Sequence, residues 1–262
     1  TEEMVSMRTF KIRNITIGEG IPKICVPLVG KSHDEILNGA RLLTGVYADL
    51  VEWRADWYQD VFSIGKVMEI LIELKEILQD RPMLFTFRTK AEGGEKELTE
   101  EQYVELLQEI ATTGLVDLID IEVLGYSEKA VKAMILAAHE ANVLVIGSNH
   151  DFEKTVSKQE LIKKLCKMQE LEADILKLAV MPCCKQDALT LMEATIEMKE
   201  QYADRPLVTM SMARDGVISR IAGEIFGSDI TFGSVGRASA PGQLPAEELR
   251  QVLSILHHAI EQ

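Results

Sequence analysis

One lysine stands in the middle of a segment that should form a buried strand. Lys177 lies between Leu176 and Leu178 in the apolar run ILKLAV. Burial removes the hydration of an amine and favours its neutral form, and a neutral amine attacks ketones and aldehydes to give an imine. Lys177 is therefore a candidate Schiff-base nucleophile. The alternative is a structural ammonium group paired with Glu52 or Glu122.

A histidine follows another apolar run and is the second candidate for chemistry. His150 comes directly after residues 143–149, in the segment GSNHDF. An imidazole titrates near neutral pH and suits general acid/base catalysis, although a single histidine can also be purely structural. The chain contains no HxH or HExxH spacing, so we predict no catalytic metal.

Charged residues interrupt or end three further apolar runs. They are Glu52, Arg54, Arg88, Asp120 and Glu122. Side chains two residues apart on a strand share a face, so Glu52 and Arg54 point the same way, as do Asp120 and Glu122. Buried unpaired charges cost several kcal/mol. An internal salt-bridge network is one explanation, but buried ion pairs stabilise a fold less well than apolar packing does, and the whole set favours a ligand site.

These residues belong to a repeating pattern of eight short apolar runs rich in β-branched residues. The runs span residues 23–29, 50–56, 82–88, 118–123, 143–149, 175–180, 206–212 and 230–235. Each gap between them contains a helical pattern; in 99–110, for example, Tyr103, Leu106, Leu107 and Ile110 form an apolar stripe. Uninterrupted apolar runs are typical of parallel strands covered on both faces.

Eight alternating β/α units in a chain of 262 residues predict an α/β protein with the (β/α)8 TIM-barrel fold. No GxGxxG follows the first run, which disfavours an open dinucleotide-binding sheet. Residues 9–20 alternate apolar and polar around a turn-prone Arg13–Asn14, and we predict a β-hairpin that closes the bottom of the barrel. No linker interrupts the chain, so residues 1–262 are predicted to form a single catalytic domain.

Composition limits the partners. A net charge of −14 argues against nucleic acid and anionic membrane surfaces. No apolar run approaches the ~18 residues of a membrane span, and the segment TEEMVSMRTF lacks the features of a signal peptide; we therefore expect a cytoplasmic protein. Its four cysteines are expected to be reduced, with a redox role for the adjacent Cys183–Cys184 pair as an open alternative.

Several segments taken together resemble the type I 3-dehydroquinate dehydratases. The similarity runs from about Lys23 to Gln243 and includes the hairpin in front. The segments that carry it are EWRAD (52–56), FTFRTKAEGGE (85–95), DIE (120–122), SNHDF (148–152), DILKLAVMP (174–182), MSMARDGVISRIAGEIFGS (210–228) and TFGSVGRASAPGQL (231–244).

The resemblance implies a homodimeric lyase that converts 3-dehydroquinate into 3-dehydroshikimate and water in the shikimate pathway, with no metal or organic cofactor. It implies that Lys177 forms the Schiff base, that His150 is the general acid/base and that Glu92 is a carboxylate beside this histidine. It also implies a set of substrate-binding residues. These are Glu52, Arg54, Arg88, Arg220, Ser239 and Gln243, with apolar walls formed by Met210, Met212, Phe232 and Ala240.

Two other functions remain open from the residues alone. A Schiff-base aldolase on the same fold could bind phosphate near Gly233 and Gly236. A non-catalytic metabolite-binding barrel is also compatible with the fold, although a binder has no need for both Lys177 and His150. Residues 236–244 are further predicted to form a lid over the substrate.

Overall fold

The computed structural model describes residues 7–236 and 239–261. A short antiparallel hairpin precedes alternating strands and helices. The strands are β1 (Phe10–Ile12), β2 (Ile15–Ile17), β3 (Lys23–Leu28), β4 (Leu50–Arg54), β5 (Met83–Thr86), β6 (Leu118–Glu122), β7 (Leu144–Asp151), β8 (Ile175–Val180), β9 (Leu207–Ser211), β10 (Ile230–Ser234) and β11 (Leu244–Pro245).

The helices alternate with these strands. They are α1 (His33–Leu43), α2 (Ile64–Leu78), α3 (Glu100–Thr112), α4 (Glu128–Glu140), α5 (Lys158–Glu170), α6 (Lys185–Gln201), α7 (Val217–Ile221), α8 (Gly223–Phe226) and α9 (Ala246–Ile260). Three short 3-10 turns, at Ala55–Trp57, Lys90–Glu92 and Arg214–Gly216, follow β4, β5 and β9. All three therefore lie at the carboxyl ends of strands.

The strands β3 to β10 form one curled parallel sheet, to which β11 adds a short strand beside β10. The strands β9 and β10 approach each other where the curl closes, and Asp229 N donates a hydrogen bond to Leu207 O at 2.7 Å. The predicted α/β barrel with an N-terminal hairpin is confirmed. Each apolar run of the sequence supplies one barrel strand.

Local sequence signals explain where the helices begin. Thr99 accepts a hydrogen bond from Gln102 N, while the Gln102 side chain accepts one from Thr99 N, so the two residues form a capping box before α3. Ser127 caps α4 in a similar way by accepting a hydrogen bond from Ala130 N. Such caps satisfy backbone N–H groups that have no partner within the helix. They fix the start of each helix relative to the preceding strand.

The hairpin lies under the amino-terminal ends of the barrel strands. Its Ile12, Ile15 and Ile17 are buried in one apolar cluster with barrel-interior residues such as Leu84 and Leu118. The hairpin therefore packs apolar side chains against the barrel interior at the end opposite the charged cavity. Among the described residues, no helix combines the length and apolar character that a membrane crossing requires.

Candidate active site

A cavity of about 240 Å³ opens at the carboxyl ends of the strands. Every residue predicted to belong to the site lines it. These are Lys177, His150, Glu92, Glu52, Arg54, Arg88, Arg220, Ser239, Gln243, Met210, Met212, Phe232 and Ala240. Strand ends scattered over the whole sequence thus meet at one mouth, as the barrel fold requires.

Lys177 projects from the middle of β8 into the floor of this cavity and is 3% exposed. Its Nζ lies 3.1 Å from Asp120 Oδ2 and 3.8 Å from Glu52 Oε1. The same atom stands 4.7 Å above the centre of the Phe232 ring. The amine is therefore removed from bulk water and paired with carboxylates. Of the two partners considered from the sequence, Glu52 contacts Lys177 and Glu122 does not.

Glu122 instead belongs to a second group of contacts around Arg88. Arg88 Nη1 lies 2.9 Å from Glu122 Oε1, and Arg88 Nη2 lies 2.8 Å from Asp120 Oδ1. Thr89 donates two further hydrogen bonds to the Glu122 carboxylate, from N and from Oγ1. Arg88 and Thr89 therefore satisfy the Glu122 carboxylate without a contact to Lys177. Arg88, Asp120, Glu122 and Lys177 form what we call the closed charge cluster.

His150 is the last residue but one of β7 and is paired with Glu92. Its Nδ1 lies 2.9 Å from Glu92 Oε2, and its backbone N donates to the same oxygen at 2.9 Å. Glu92 reaches the histidine from the 3-10 turn Lys90–Glu92. Because this contact holds Nδ1, the other ring nitrogen, Nε2, is left to exchange protons with a molecule in the cavity.

The protonation of this pair is set by its surroundings. Burial lowers the pKa of His150 well below its ordinary value, and the positive charges of Arg88, Lys177 and Arg54 act in the same direction. Burial and the negative charge of Glu122 raise the pKa of Glu92 to about 8, although Arg88 opposes that shift. A neutral imidazole carries its proton on one ring nitrogen. When Nδ1 donates that proton to the ionised carboxylate of Glu92, Nε2 carries a free lone pair and can act as a base.

Asn149 fixes the other oxygen of Glu92. Its Nδ2 donates to Glu92 Oε1 at 2.9 Å, while its Oδ1 accepts a hydrogen bond from Lys164 Nζ at 2.9 Å. The lysine contact requires the amide oxygen to face α5, so the amide NH2 must face Glu92. Lys164 and Asn149 therefore orient Glu92, which in turn orients His150.

Glu52 and Arg54 both line the cavity, but each is bound to a different side chain. Arg54 forks onto Asp56, with Nε–Oδ1 and Nη2–Oδ2 distances of 2.8 and 2.9 Å. Asp56 is fully buried in the turn after β4. Glu52 Oε1 instead accepts a hydrogen bond from Thr86 Oγ1 at 2.9 Å. Their charges are thus satisfied by different partners, and the two side chains do not form an ion pair with each other.

Arg220 differs from the other buried cations of the cavity. It is 1% exposed, and none of the described carboxylates forms an ion pair with it. Its Nη2 donates to Pro241 O at 2.9 Å, Nη1 lies 3.7 Å from Met210 Sδ, and Nε has no hydrogen-bond partner. Burial without a counter-ion lowers the pKa of Arg220 to about 10. A guanidinium in this condition is suited to bind an anion.

The segment after β10 lies over Arg220. Ser239 N donates to Gln243 Oε1 at 3.0 Å, and Gln243 Nε2 donates to Ser239 Oγ at 3.1 Å. Within the predicted lid 236–244, Arg237 and Ala238 lie outside the described residues. The opening and closing of this segment stays a prediction.

Several contributors to the site were not assigned a role from the sequence. Asp56 and Asp120 lie in the matched segments EWRAD and DIE, so their place in these segments was a usable signal. Asn149 precedes His150 and could have been found in the same way. Phe152 and Ala179, which also line the cavity, lie in the matched segments SNHDF and DILKLAVMP, but their apolar character alone indicated no role. Within residues 7–236 and 239–261, no group of side chains has the arrangement of a metal site.

An α/β barrel with an amine on its floor, a histidine–carboxylate pair and an unpaired guanidinium defines a class of enzymes that act through an imine with their substrate. The model of the family described as type I 3-dehydroquinase matches residues 24–260. The chain therefore belongs to the type I 3-dehydroquinase family, and it is an enzyme of the dehydratase class of lyases. The resemblance inferred from the sequence is confirmed.

Individual relatives agree with this assignment. A 3-dehydroquinate dehydratase from Bacillus licheniformis is 52% identical over 247 residues, which cover 94% of this chain and 97% of the relative. One from Salmonella typhimurium is 50% identical over 253 residues, covering 97% and 100% of the two chains. A crystal structure of the Clostridium difficile enzyme with covalently modified comenic acid superposes with a TM-score of 0.94 at 49% identity, covering 97% of this chain and 99% of that one.

Proposed function

We propose that this enzyme converts 3-dehydroquinate into 3-dehydroshikimate and water through an imine on Lys177. The observation that carries the proposal is the arrangement of Lys177, the His150–Glu92 pair and the unpaired Arg220 around one cavity. The crystal structure of the Clostridium difficile relative with covalently modified comenic acid also supports covalent chemistry in this family.

The first step joins the amine to the substrate ketone. The Lys177 nitrogen attacks the ketone carbon, and water leaves to give a protonated imine. This group withdraws electrons and makes a proton on the neighbouring carbon far more acidic than the ketone itself does. His150, through Nε2, removes that proton and generates an enamine.

The second step expels the hydroxyl group. The nitrogen lone pair of the enamine re-forms the protonated imine, and the enamine C=C pair forms the new carbon–carbon double bond as the adjacent carbon–oxygen bond breaks. Protonated His150 supplies the proton with which the hydroxyl leaves as water. Water then hydrolyses the remaining imine and frees Lys177. One histidine serves both proton transfers, because Glu92 keeps its ring in place between them.

Arg220 is proposed to hold the substrate carboxylate. A guanidinium can donate two parallel hydrogen bonds to a carboxylate, and Arg220 has no competing counter-ion among the described residues. We propose that Glu52, Arg54, Arg88, Ser239 and Gln243 supply further polar contacts and that Met210, Met212, Phe232 and Ala240 form the apolar walls. Orientation of this kind can lower a barrier by several kcal/mol.

The aldolase alternative receives no support from Gly233, one of the two glycines on which it depended. An added Cβ at Gly233 would lie 3.0 Å from Ala246 Cα, so this glycine allows α9 to pack closely on β10. Its presence has a structural cause, and a phosphate group is not needed to explain it. The non-catalytic alternative does not fit a member of an enzyme family.

Reduction with borohydride in the presence of 3-dehydroquinate tests the proposal. An adduct on Lys177 would block trypsin there and give one peptide spanning residues 168–185, heavier by the reduced substrate. Lys177→Met removes the site and should give no adduct, whereas Lys163→Met, on an exposed residue of α5, should be labelled as the wild type is. Labelling of any lysine other than Lys177 would contradict the proposal.

We also propose that residues 1–262 form one catalytic domain, and that the protein acts as a homodimer in the cytoplasm. Exposed apolar side chains on neighbouring helices, including Leu189 and Ile196 on α6 and Ile225 on α8, give a second copy a surface to cover. Light scattering of the purified protein measures the assembly directly. A monomer at micromolar concentration would contradict the dimer.

A further inference from the structure

We propose that Asp120 is a catalytic residue, the fixed counter-ion of the Lys177 nitrogen first as an ammonium and then as a protonated imine. This inference rests on the function proposed above and deepens it. Its Oδ2 touches a reacting atom, Lys177 Nζ, at 3.1 Å, yet the mechanism outlined so far gives Asp120 no part.

The two carboxylate oxygens of Asp120 contact different partners. Oδ2 faces Lys177, while Oδ1 accepts a hydrogen bond from Ser148 Oγ at 2.6 Å and lies 2.8 Å from Arg88 Nη2. The side chain is fully buried. Because Arg88 and Ser148 hold Oδ1, Oδ2 cannot swing away from Nζ when the substrate enters.

Asp120 does not serve as a base. Burial alone would raise its pKa, but the positive charges of Arg88 and Lys177 and the hydrogen bond from Ser148 lower it to about 2. A carboxylate with so low a pKa stays ionised through the reaction. The proton that the ammonium must lose before it attacks therefore goes to another group, and His150 Nε2 is the base already proposed for the cavity.

The charge at the nitrogen is the same before and after condensation. The ammonium and the ketone give a protonated imine and one water molecule: the nitrogen lone pair forms the bond to carbon, and the electron pair of the carbon–oxygen bond leaves with the oxygen. Two of the three ammonium protons end in that water, and one stays on nitrogen. A fixed negative charge beside this atom stabilises both states without reorganisation.

Other charged or titratable groups also face Lys177. They are Glu52 on β4, Cys25 on β3, Arg88 after β5 and His150 on β7. Glu52 is the only other carboxylate of the described residues within 4 Å of Nζ, at 3.8 Å. Its Oε1 is shared with Thr86, so we expect its influence on the nitrogen to be weaker.

The pH dependence of borohydride trapping tests the inference. Hydride reduces the protonated imine, so trapping declines at alkaline pH as the imine loses its proton. Asp120→Asn keeps the shape of the side chain and removes its charge; we expect the alkaline midpoint to fall by about one to three pH units. Glu52→Gln should shift it less. Ser148→Ala, which removes a hydrogen bond but keeps the Asp120 charge, should not shift it.

Raman spectroscopy of the wild-type enzyme gives a second measurement that needs no variant. The C=N stretch of the adduct with 3-dehydroquinate should shift to lower frequency in D2O, and should keep doing so at alkaline pH values where an alkylamine imine in water is already unprotonated. A band that is insensitive to D2O at neutral pH would overturn the inference, even if Asp120→Asn fails to fold.

The two proposals fail in different ways. Absence of any Lys177 adduct in the wild type would overturn the proposed function. If the wild type is labelled at Lys177 and Asp120→Asn has the same alkaline midpoint with only a lower yield, the dehydration mechanism survives, and Asp120 is merely structural.

Discussion

Two sides of the cavity hold buried arginines in opposite conditions. Arg88, in the closed charge cluster, contacts the carboxylates of Asp120 and Glu122 at 2.8 and 2.9 Å. Arg220, across the cavity, donates a hydrogen bond to one backbone carbonyl, that of Pro241, and its Nε has no hydrogen-bond partner. Both side chains are almost completely buried, so burial does not explain the difference.

The closed charge cluster holds catalytic side chains in position, whereas Arg220 has a charge that a ligand can neutralise. Buried ion pairs contribute little net stability, but removing one partner leaves the other charge uncompensated and costs much more. The charges of the closed charge cluster pair with one another, and they fix the place of Lys177. The Arg220 side is incomplete, and we infer that the substrate carboxylate completes it.

Lys177→Met should have the largest effect. It removes the nucleophile from the closed charge cluster, and we expect turnover to fall by more than about 10⁴-fold, as loss of a nucleophile does in other covalent enzymes. The fold should persist, because Asp120 keeps Arg88 as a partner. Turnover and circular dichroism measure the two effects. Exposed Lys163 gives the control, Lys163→Met, which should behave as the wild type.

His150→Ala should separate imine formation from elimination. The amine and ketone can still meet, but neither proton transfer has its general acid/base, so turnover should fall by about 10²- to 10⁴-fold. Borohydride trapping should continue at Lys177, although more slowly, because water must replace His150 as the acceptor of the ammonium proton. The control is His258→Ala, on an exposed residue of α9. Near-wild-type turnover of His150→Ala would remove the histidine from the mechanism.

Paired methionine substitutions test the two arginines directly. Arg88→Met leaves Asp120 and Glu122 without their shared cation, and should lower the free energy of unfolding by about 3–5 kcal/mol. Arg220→Met strands no carboxylate among the described residues and removes a desolvated charge, so stability should stay the same or rise. Urea unfolding midpoints measure both. An equal loss of unfolding free energy in the two variants would show that Arg220, like Arg88, is already paired within the protein.

The sequence predicted the faces of the strands better than the partners across them. Strand periodicity placed Asp120 and Glu122 on one face, but it could not decide which of them meets Lys177. In the sheet, Lys177 is the register partner of Ser148, and Ser148 is the register partner of Glu122. Backbone register alone would therefore also favour a contact between Lys177 and Glu122. Barrel strands tilt relative to the axis, and the long lysine side chain reaches Asp120 one layer away.

The position of Glu92 depends on loop geometry that periodicity cannot supply. A Cβ at Gly94 would lie 1.9 Å from Arg88 O, and Gly93 has a φ of +86°. Only glycines let the chain fold back here and turn the Glu92 carboxylate towards His150. Family resemblance identified this carboxylate from the segment AEGGE, whereas strand and helix patterns gave no indication of its place.

Arg220→Lys should have the smallest effect and the most specific one. The charge is kept, but an ammonium cannot donate the two parallel hydrogen bonds of a guanidinium, and one hydrogen bond to a charged group is worth about 1.5–3 kcal/mol. We therefore expect kcat/KM for 3-dehydroquinate to fall by about tenfold or more. The matched control is Arg214→Lys, on an exposed residue six positions earlier, which should change nothing.

A substrate analogue with a carboxamide in place of the carboxylate shows whether the loss arises at that group. If Arg220 binds the carboxylate, the analogue is already a poor ligand for the wild type, and Arg220→Lys should weaken it little further, because the two changes remove the same interaction. If the two losses add, Arg220 acts elsewhere, for instance by holding Pro241 O and the segment after β10. The open side of the cavity would then be a structural support, and the substrate carboxylate would have to be bound by another cation.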